Sequence, residues 1–418
     1  MEAEKKTEEI ISETEQRLKG AFLETEKTEE KCTEKILKAF RKNRISYRHF
    51  APTTGYGYDD IGRDTLEKVW ADVFHTEAAI MRPHISSGTS ALSHTLFALT
   101  RPGDTILSAT GMPYDTLQGV IGIGERHQRG SLKEYGVSFE ITELKDGHID
   151  VDAVRQKMTG RTTLVIAQRS RGYAWRPSLM PEEFAPLAEM LHSEFPNALL
   201  MVDNCYGEFV RETEPTDHGA DLCVGSLIKN PGGGIAPTGG YAVGKREAIE
   251  QIAFRLTAPG LGLEIGSYAG DYRPFYQGLF MAPHTVAQAL KTAMLASGIF
   301  EKLGMEVSPG PDEPRADIIQ AVKMGTGDRL VAFCQGVQNA SPVDSMALPE
   351  PWDMPGYEDQ VVMAAGTFVA GASIELSADG PMRPPYTAYM QGGLTYAHGR
   401  IAMKEALARM AANGSVSL

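Results

Sequence analysis

The stretch DLCVGSLIKNPGGGIAPTGGYAVG, residues 221–244, ends an apolar run on Ser226, sets Lys229 three residues later and follows it with a glycine-rich turn. Three chemistries put a lysine next to a hydroxyl and glycines. A phosphate-binding P-loop needs glycine directly before the lysine and Ser or Thr directly after it, whereas Lys229 stands between Ile228 and Asn230. A serine–lysine acylase shares the Ser-x-x-Lys spacing but also needs S-D-N and K-T-G elements, and neither occurs in the chain. A lysine that forms a Schiff base with a cofactor aldehyde fits, because the Ser226 hydroxyl can hold a cofactor phosphate and the glycines let the backbone approach a flat ring.

That reading demands further parts. SSGTSA, residues 86–91, opens a helix carrying Leu92, Leu96 and Leu99, so Ser87, Gly88 and Thr89 present backbone N–H groups and the positive end of a helix dipole to an anion. Asp203 ends the apolar run ALLMVD, where a carboxylate can face a protonated ring nitrogen. Tyr114, in GMPYDT directly after TILSA, offers a flat ring for stacking. Together these are the parts of a pyridoxal-phosphate site, with Lys229 carrying the cofactor as an internal aldimine and, once freed by substrate, acting as the base at Cα. Arg383, in GPMRPPY, supplies a planar guanidinium suited to the carboxylate of an amino-acid substrate.

The surrounding elements must hold these residues at one edge. TILSA (105–109), GVSFEIT (136–142), TTLVIA (162–167), ALLMVD (198–203), DLCVGS (221–226) and GYAVG (240–244) alternate with helical stretches, and strands this apolar predict a mainly parallel sheet covered on both faces. Ligands of such sheets sit beyond the carboxyl ends of the strands, where Gln168, Asp203 and Ser226 fall. Residues 1–44 read as amphipathic helix. Leu66, Val69, Trp70, Val73 and Phe74 share a face of a helix over about 64–75, with Asp64 and Glu67 at capping-box spacing. A long apolar helix is expected over 284–303, then a helix near 312–322, strands near 330–337 and 361–370, a proline-rich surface loop over 341–359, and a closing helix over 396–412. The expected domains are an N-terminal helical segment and arm (1–60), a large cofactor-binding domain (61–300) and a small C-terminal α/β domain (301–418). PGLGLEIG, residues 259–266, looks like a dinucleotide loop but lacks the third glycine at the right spacing.

With 41 basic and 54 acidic residues the formal charge is -13, which repels nucleic-acid phosphates. No apolar run reaches a membrane span and MEAEKKTEEI lacks the apolar core of a secretion signal, so a cytoplasmic protein is expected. Cys32, Cys205, Cys223 and Cys334 are too scattered for a zinc or redox pair; they read as buried thiols, and no metal is expected.

TGYGYDDIGRDTLE, SGTSAL, PYDTL, VDNCYGEF, GSLIKNPGGGIAPTGGY, GLFMAP and IELSADGPMRPPYTAYMQGGLTY resemble the pyridoxal-phosphate enzymes of cysteine and methionine metabolism, in the methionine gamma-lyase-related branch also called aluminium-resistance proteins. The resemblance spans nearly the whole chain. It implies the type I fold, an α/β architecture with a mainly parallel seven-stranded sheet and a smaller C-terminal α/β domain. It also implies carbon–sulfur lyase chemistry on a sulfur amino acid of the cystathionine, methionine or cysteine type, in a homodimer or homotetramer with shared active sites. Tyr58 and Arg63 match the pair that a neighbouring subunit lends to the cofactor phosphate, with different local spacing. QRSRGY (168–173) stands where the better-known lyases carry E-S-P-T-N-P, so Gln168 and Arg171 replace groups there and are expected to meet cofactor or substrate. Two other readings share these parts: another pyridoxal-phosphate reaction, such as transamination or racemisation, and a non-catalytic member of the fold serving metal stress.

Overall fold

The computed structural model describes residues 2–123, 129–354 and 357–417. Seven strands form the first sheet: β1 (Ala78–Arg82), β2 (Thr105–Ser108), β3 (Ser138–Ile141), β4 (Thr162–Gln168), β5 (Leu199–Asp203), β6 (Leu222–Ser226) and β7 (Gly240–Gly244). Their order is β1-β7-β6-β5-β4-β2-β3. Strands β2 to β6 are mutually parallel, and β7 is antiparallel to both β6 and β1. The middle strands are apolar because both faces are covered: β6 and β7 are buried at every position. The covering helices are α2 (Ile61–Val73), α3 (Gly88–Leu99), α4 (Asp115–Ile121), α5 (Val151–Lys157), α6 (Ala185–Glu194), α7 (Arg246–Leu256) and α8 (Arg273–Lys302).

Helix α1 (Glu2–Lys42) lies along α8. Its buried residues Ile11, Leu18, Thr25, Cys32 and Ala39 recur every seven positions, the repeat that keeps one seam against a neighbouring helix. Lys291 reaches Glu26 at 2.6 Å across the same contact.

The second sheet, order β10-β11-β12-β9-β8, is antiparallel throughout. It comprises β8 (Val307–Ser308), β9 (Gln320–Lys323), β10 (Val361–Ala364), β11 (Ser377–Pro381) and β12 (Thr387–Gln391), packed with α9 (Gly327–Asn339) and α10 (Tyr396–Ala412) around a separate apolar cluster. The long α8 joins the two sheets.

Several expectations are corrected. Residues 330–337 belong to helix α9, not a strand: Leu330, Phe333, Cys334 and Val337 have helical spacing, and the Thr326 hydroxyl caps the helix by accepting from Arg329 N. The helix expected over 312–322 is instead an irregular segment broken by Pro314 that leads into β9. Helix α2 starts at Ile61 because Asp60, not Asp64, is its cap, accepting from Gly62 N and Arg63 N. The segment 341–359 contains no helix or strand among its described residues, and its residues 355 and 356 lie outside them. Among the described residues no helix is long and apolar enough to cross a membrane.

Candidate active site

Adjacent parallel strands end together, so their last residues become neighbours. Gln168 and Asp203 are direct partners at the ends of β4 and β5, and Ser226 ends β6 next to them. Three residues on, Lys229 begins a short turn of helix, Asn230–Gly232. Lys229, Ser226, Asp203, Gln168, Tyr114, Ser87, Gly88 and Thr89 all line one cavity of about 240 Å³. The expected parts at the strand ends are thus brought together.

The Lys229 ammonium sits 4.0 Å from the centroid of the Tyr206 ring. Burial opposes its charge, but Cys205, Tyr206 and Asp203 outweigh this and its pKa is raised. Asp203 shows the reverse balance: burial pushes its pKa up while Lys229 draws it down. Its Oδ1 accepts from Cys205 N at 3.2 Å.

The segment expected to cradle an anion opens helix α3. Ser87 caps α3, its Oγ accepting from Ser90 N at 3.0 Å, and the first N–H groups of the helix have no partner within it. Facing them, the buried Ser226 Oγ has no hydrogen-bond partner among the described residues. A Cβ on Gly88 would lie 3.2 Å from the Ser226 Cβ and 3.5 Å from Cys205 Sγ, so glycine keeps this corner open. An unsatisfied buried hydroxyl opposite a helix N-terminus is what a bound phosphate would complete. The residues present therefore fit pyridoxal phosphate.

The glycines after Lys229 do a different task from the one expected. A Cβ on Gly232 would come within 1.7 Å of the Leu227 carbonyl, and one on Gly233 within 2.5 Å of the Gly278 carbonyl on α8. Gly232 lets the lysine's loop fold tightly on itself, and Gly233 lets it pack on α8. Asn230 fixes the loop from the other side, donating to the carbonyls of Tyr206 and Glu208 at 2.9 and 3.0 Å.

Tyr114 precedes α4, with its N–H donated to Gln168 Oε1 at 3.0 Å. Its hydroxyl pairs with that of Tyr357, from the proline-rich segment, and burial raises its pKa. Tyr173 stands between Tyr357 and Tyr389, with ring centroids 5.7 and 5.1 Å away.

The arginines and the arm lie elsewhere. Arg383 is half-exposed and paired with Asp359 at 2.8 Å on an outer cleft. Arg171 is buried between the lining residues Ser170 and Gly172; its Nη1 donates to Ser308 O at 2.9 Å, and its Nε has no partner among the described residues. Tyr58 is exposed and stacks on Tyr56, with centroids 5.5 Å apart. Arg63 is buried, donating to the Gly57 carbonyl at 2.8 Å. None of these four lines the cavity. All four cysteines are buried and free, and Cys205 lines the cavity.

Sequence reasoning missed Tyr206, Asp379, Tyr389 and Gln391 as lining residues. Tyr206 had a legible signal in VDNCY, immediately after Asp203. The others sit on β11 and β12, whose approach to the first sheet no local pattern announces.

A family model, Methionine gamma-lyase, matches residues 7–411. The uncharacterized protein YnbB of Bacillus subtilis (strain 168) is 49% identical over 396 residues, 94% of each chain. The structure of a carbon-sulfur lyase involved in aluminum resistance from Clostridium novyi NT is 48% identical, with a TM-score of 0.93 over 97% of this chain and 96% of that one. CalE6, a methionine gamma lyase from Micromonospora echinospora, is 18% identical and has a TM-score of 0.56 over 84% of this chain and 87% of that one, a likeness of fold alone. With the strand-end cavity, the unsatisfied Ser226 and a match over nearly the whole length, the chain belongs to the methionine gamma-lyase family of lyases and has the type I fold of pyridoxal-phosphate enzymes.

Proposed function

We propose that the protein is a pyridoxal-phosphate-dependent carbon–sulfur lyase acting on a sulfur amino acid. The observation that carries this reading is the convergence of Lys229, Asp203, Ser226 and the start of α3 on one cavity. When bound, the cofactor supplies an electron sink for charge developing at the substrate Cα. Ser226 and the N–H groups of Gly88 and Thr89 hold its phosphate, and Asp203 keeps its ring nitrogen protonated.

Lys229 is the covalent anchor and then the group that takes and returns the Cα proton. Tyr114 would stack on the cofactor ring, and its hydroxyl, kept protonated because burial raises its pKa, would donate a hydrogen bond to the departing sulfur. Gln168 fixes the position of Tyr114 through the 3.0 Å bond to its backbone. Of the two arginines, Arg171 suits the substrate carboxylate better, since it lies between the lining residues Ser170 and Gly172 and its Nε has no hydrogen-bond partner among the described residues, while Arg383 is paired with Asp359. Exposed Tyr58 suits contribution to a neighbouring subunit in a homodimer or homotetramer, which the particle mass in solution tests.

The experiment is product analysis of the cofactor-loaded protein with sulfur amino acids. A keto acid released with ammonia and a thiol supports the lyase; a keto acid without free ammonia, or inversion at Cα, would replace it with transamination or racemisation.

A further inference from the structure

The wall of the cavity contributed by the second sheet is acidic and aromatic. Asp379, on β11, is buried. Its Oδ2 accepts a long bond, 3.4 Å, from Gln391 Nε2, the Tyr173 hydroxyl also favours its ionised form, and its Oδ1 has no hydrogen-bond partner among the described residues. Its neighbour across the strand pair is Tyr389. The Tyr389 ring packs on Tyr173, which also contacts Tyr114 and Tyr357, with centroids 5.1 to 6.3 Å apart. Among the described residues the cavity lining includes no arginine, and its one lysine is Lys229.

A buried acceptor with an empty lone pair calls for a donor. Aromatic faces attract cations, and a desolvated carboxylate repels anions. Burial raises the pKa of Asp379 to about 7, against the lowering effect of Tyr173 and Gln391. The substrate's α-amino group is engaged at the cofactor, so the group facing Asp379 comes from the side chain.

We propose that Asp379, within the tyrosine cluster, is a specificity site for an ammonium group on the substrate side chain, so that the preferred substrate is a sulfur amino acid with an amine beyond its sulfur. This deepens the lyase reading and rests on it. The amine donates to Asp379 Oδ1 and lies against the Tyr173 and Tyr389 rings.

The test compares three thioethers of nearly equal size on the cofactor-loaded enzyme: S-(2-aminoethyl)cysteine, S-propylcysteine and S-carboxymethylcysteine. The site predicts kcat/KM for the aminoethyl compound at least about 10-fold above the propyl compound, with the carboxymethyl compound poorest, and Asp379→Asn reducing the first ratio to about twofold or less. Equal or better turnover of the propyl or carboxymethyl compound by the wild type overturns the proposal, as does a preference that survives in Asp379→Asn. Should that variant fail to fold, the wild-type ratios decide alone. If none of the three reacts, the lyase reading fails for such thioethers and calorimetric binding decides the charge preference. Tighter binding of the aminoethyl compound then supports the site, and equal or weaker binding overturns it.

Discussion

The Lys229 ammonium and the Tyr206 ring meet at 4.0 Å, and the backbone of Tyr206 is in turn held by Asn230, the residue after the lysine. The Tyr206 φ of 72° is unusual for a residue with a Cβ, and the Asn230 bond to its carbonyl helps to maintain it. Lys229 therefore arrives with its position fixed. Lys229→Ala should lower turnover by at least about 100-fold, because it removes both the anchor and the proton carrier. Circular dichroism should be unchanged; wild-type turnover in the folded variant would refute the role.

Ser226 separates binding from stability. Its Oγ has no protein partner among the described residues, so Ser226→Ala should leave the melting temperature of the cofactor-free protein almost unchanged. A hydrogen bond to a charged phosphate is worth about 1.5 to 3 kcal/mol, so the variant should bind pyridoxal phosphate about 10- to 150-fold more weakly. Unaltered affinity in a spectroscopic titration would place the phosphate elsewhere.

Glu208 gives the pH dependence. Burial raises its pKa from 4.5 to about 8, against the lowering effect of the Tyr241 hydroxyl that donates to Oε1 at 2.7 Å. The folded protein thus holds a proton that the unfolded chain releases, and the stability from this group is full below about pH 4.5 and is lost as pH rises to about 8. Glu208→Gln keeps an acceptor for Tyr241 and never ionises. Its melting temperature relative to wild type should therefore rise from pH 5 to pH 8, and a difference that does not change with pH would show that Glu208 is already ionised at pH 5.

The two arginines make opposite predictions. Arg383 is half-exposed and ion-paired at the surface, where such a pair is worth about 0 to 1 kcal/mol, so Arg383→Ala should change kcat/KM by less than about fivefold. Arg171→Lys loses the planar guanidinium and should cost about 10- to 150-fold in kcat/KM with normal cofactor content. Equal small effects in steady-state kinetics would mean that neither holds the carboxylate.

Residues at the ends of strands were legible in the chain, because an apolar run ending in Asp203 or Ser226 announces both its strand and its exposed edge. Lys229 followed from its distance to that edge. Asp379, Tyr357 and Tyr389 were not legible: they lie more than a hundred residues further on, and their contribution depends on how the second sheet meets the first. The apolar run 330–337 has a β-like composition, and the cap at Thr326 that makes it a helix lies just before it. The glycines after Lys229 suggest close approach to a ring, but the neighbour that requires Gly233, Gly278, is distant in sequence, and Gly232 is required by the loop's own fold at Leu227.

The central claim is that Lys229 carries the cofactor. It is tested most directly by loading the purified protein with pyridoxal phosphate, reducing with borohydride, and locating the modified residue by peptide mass spectrometry. The account predicts a yellow protein whose visible band disappears on reduction, with a phosphopyridoxyl group fixed on Lys229 and none incorporated by Lys229→Ala. A colourless protein, or label confined to other lysines, would contradict it.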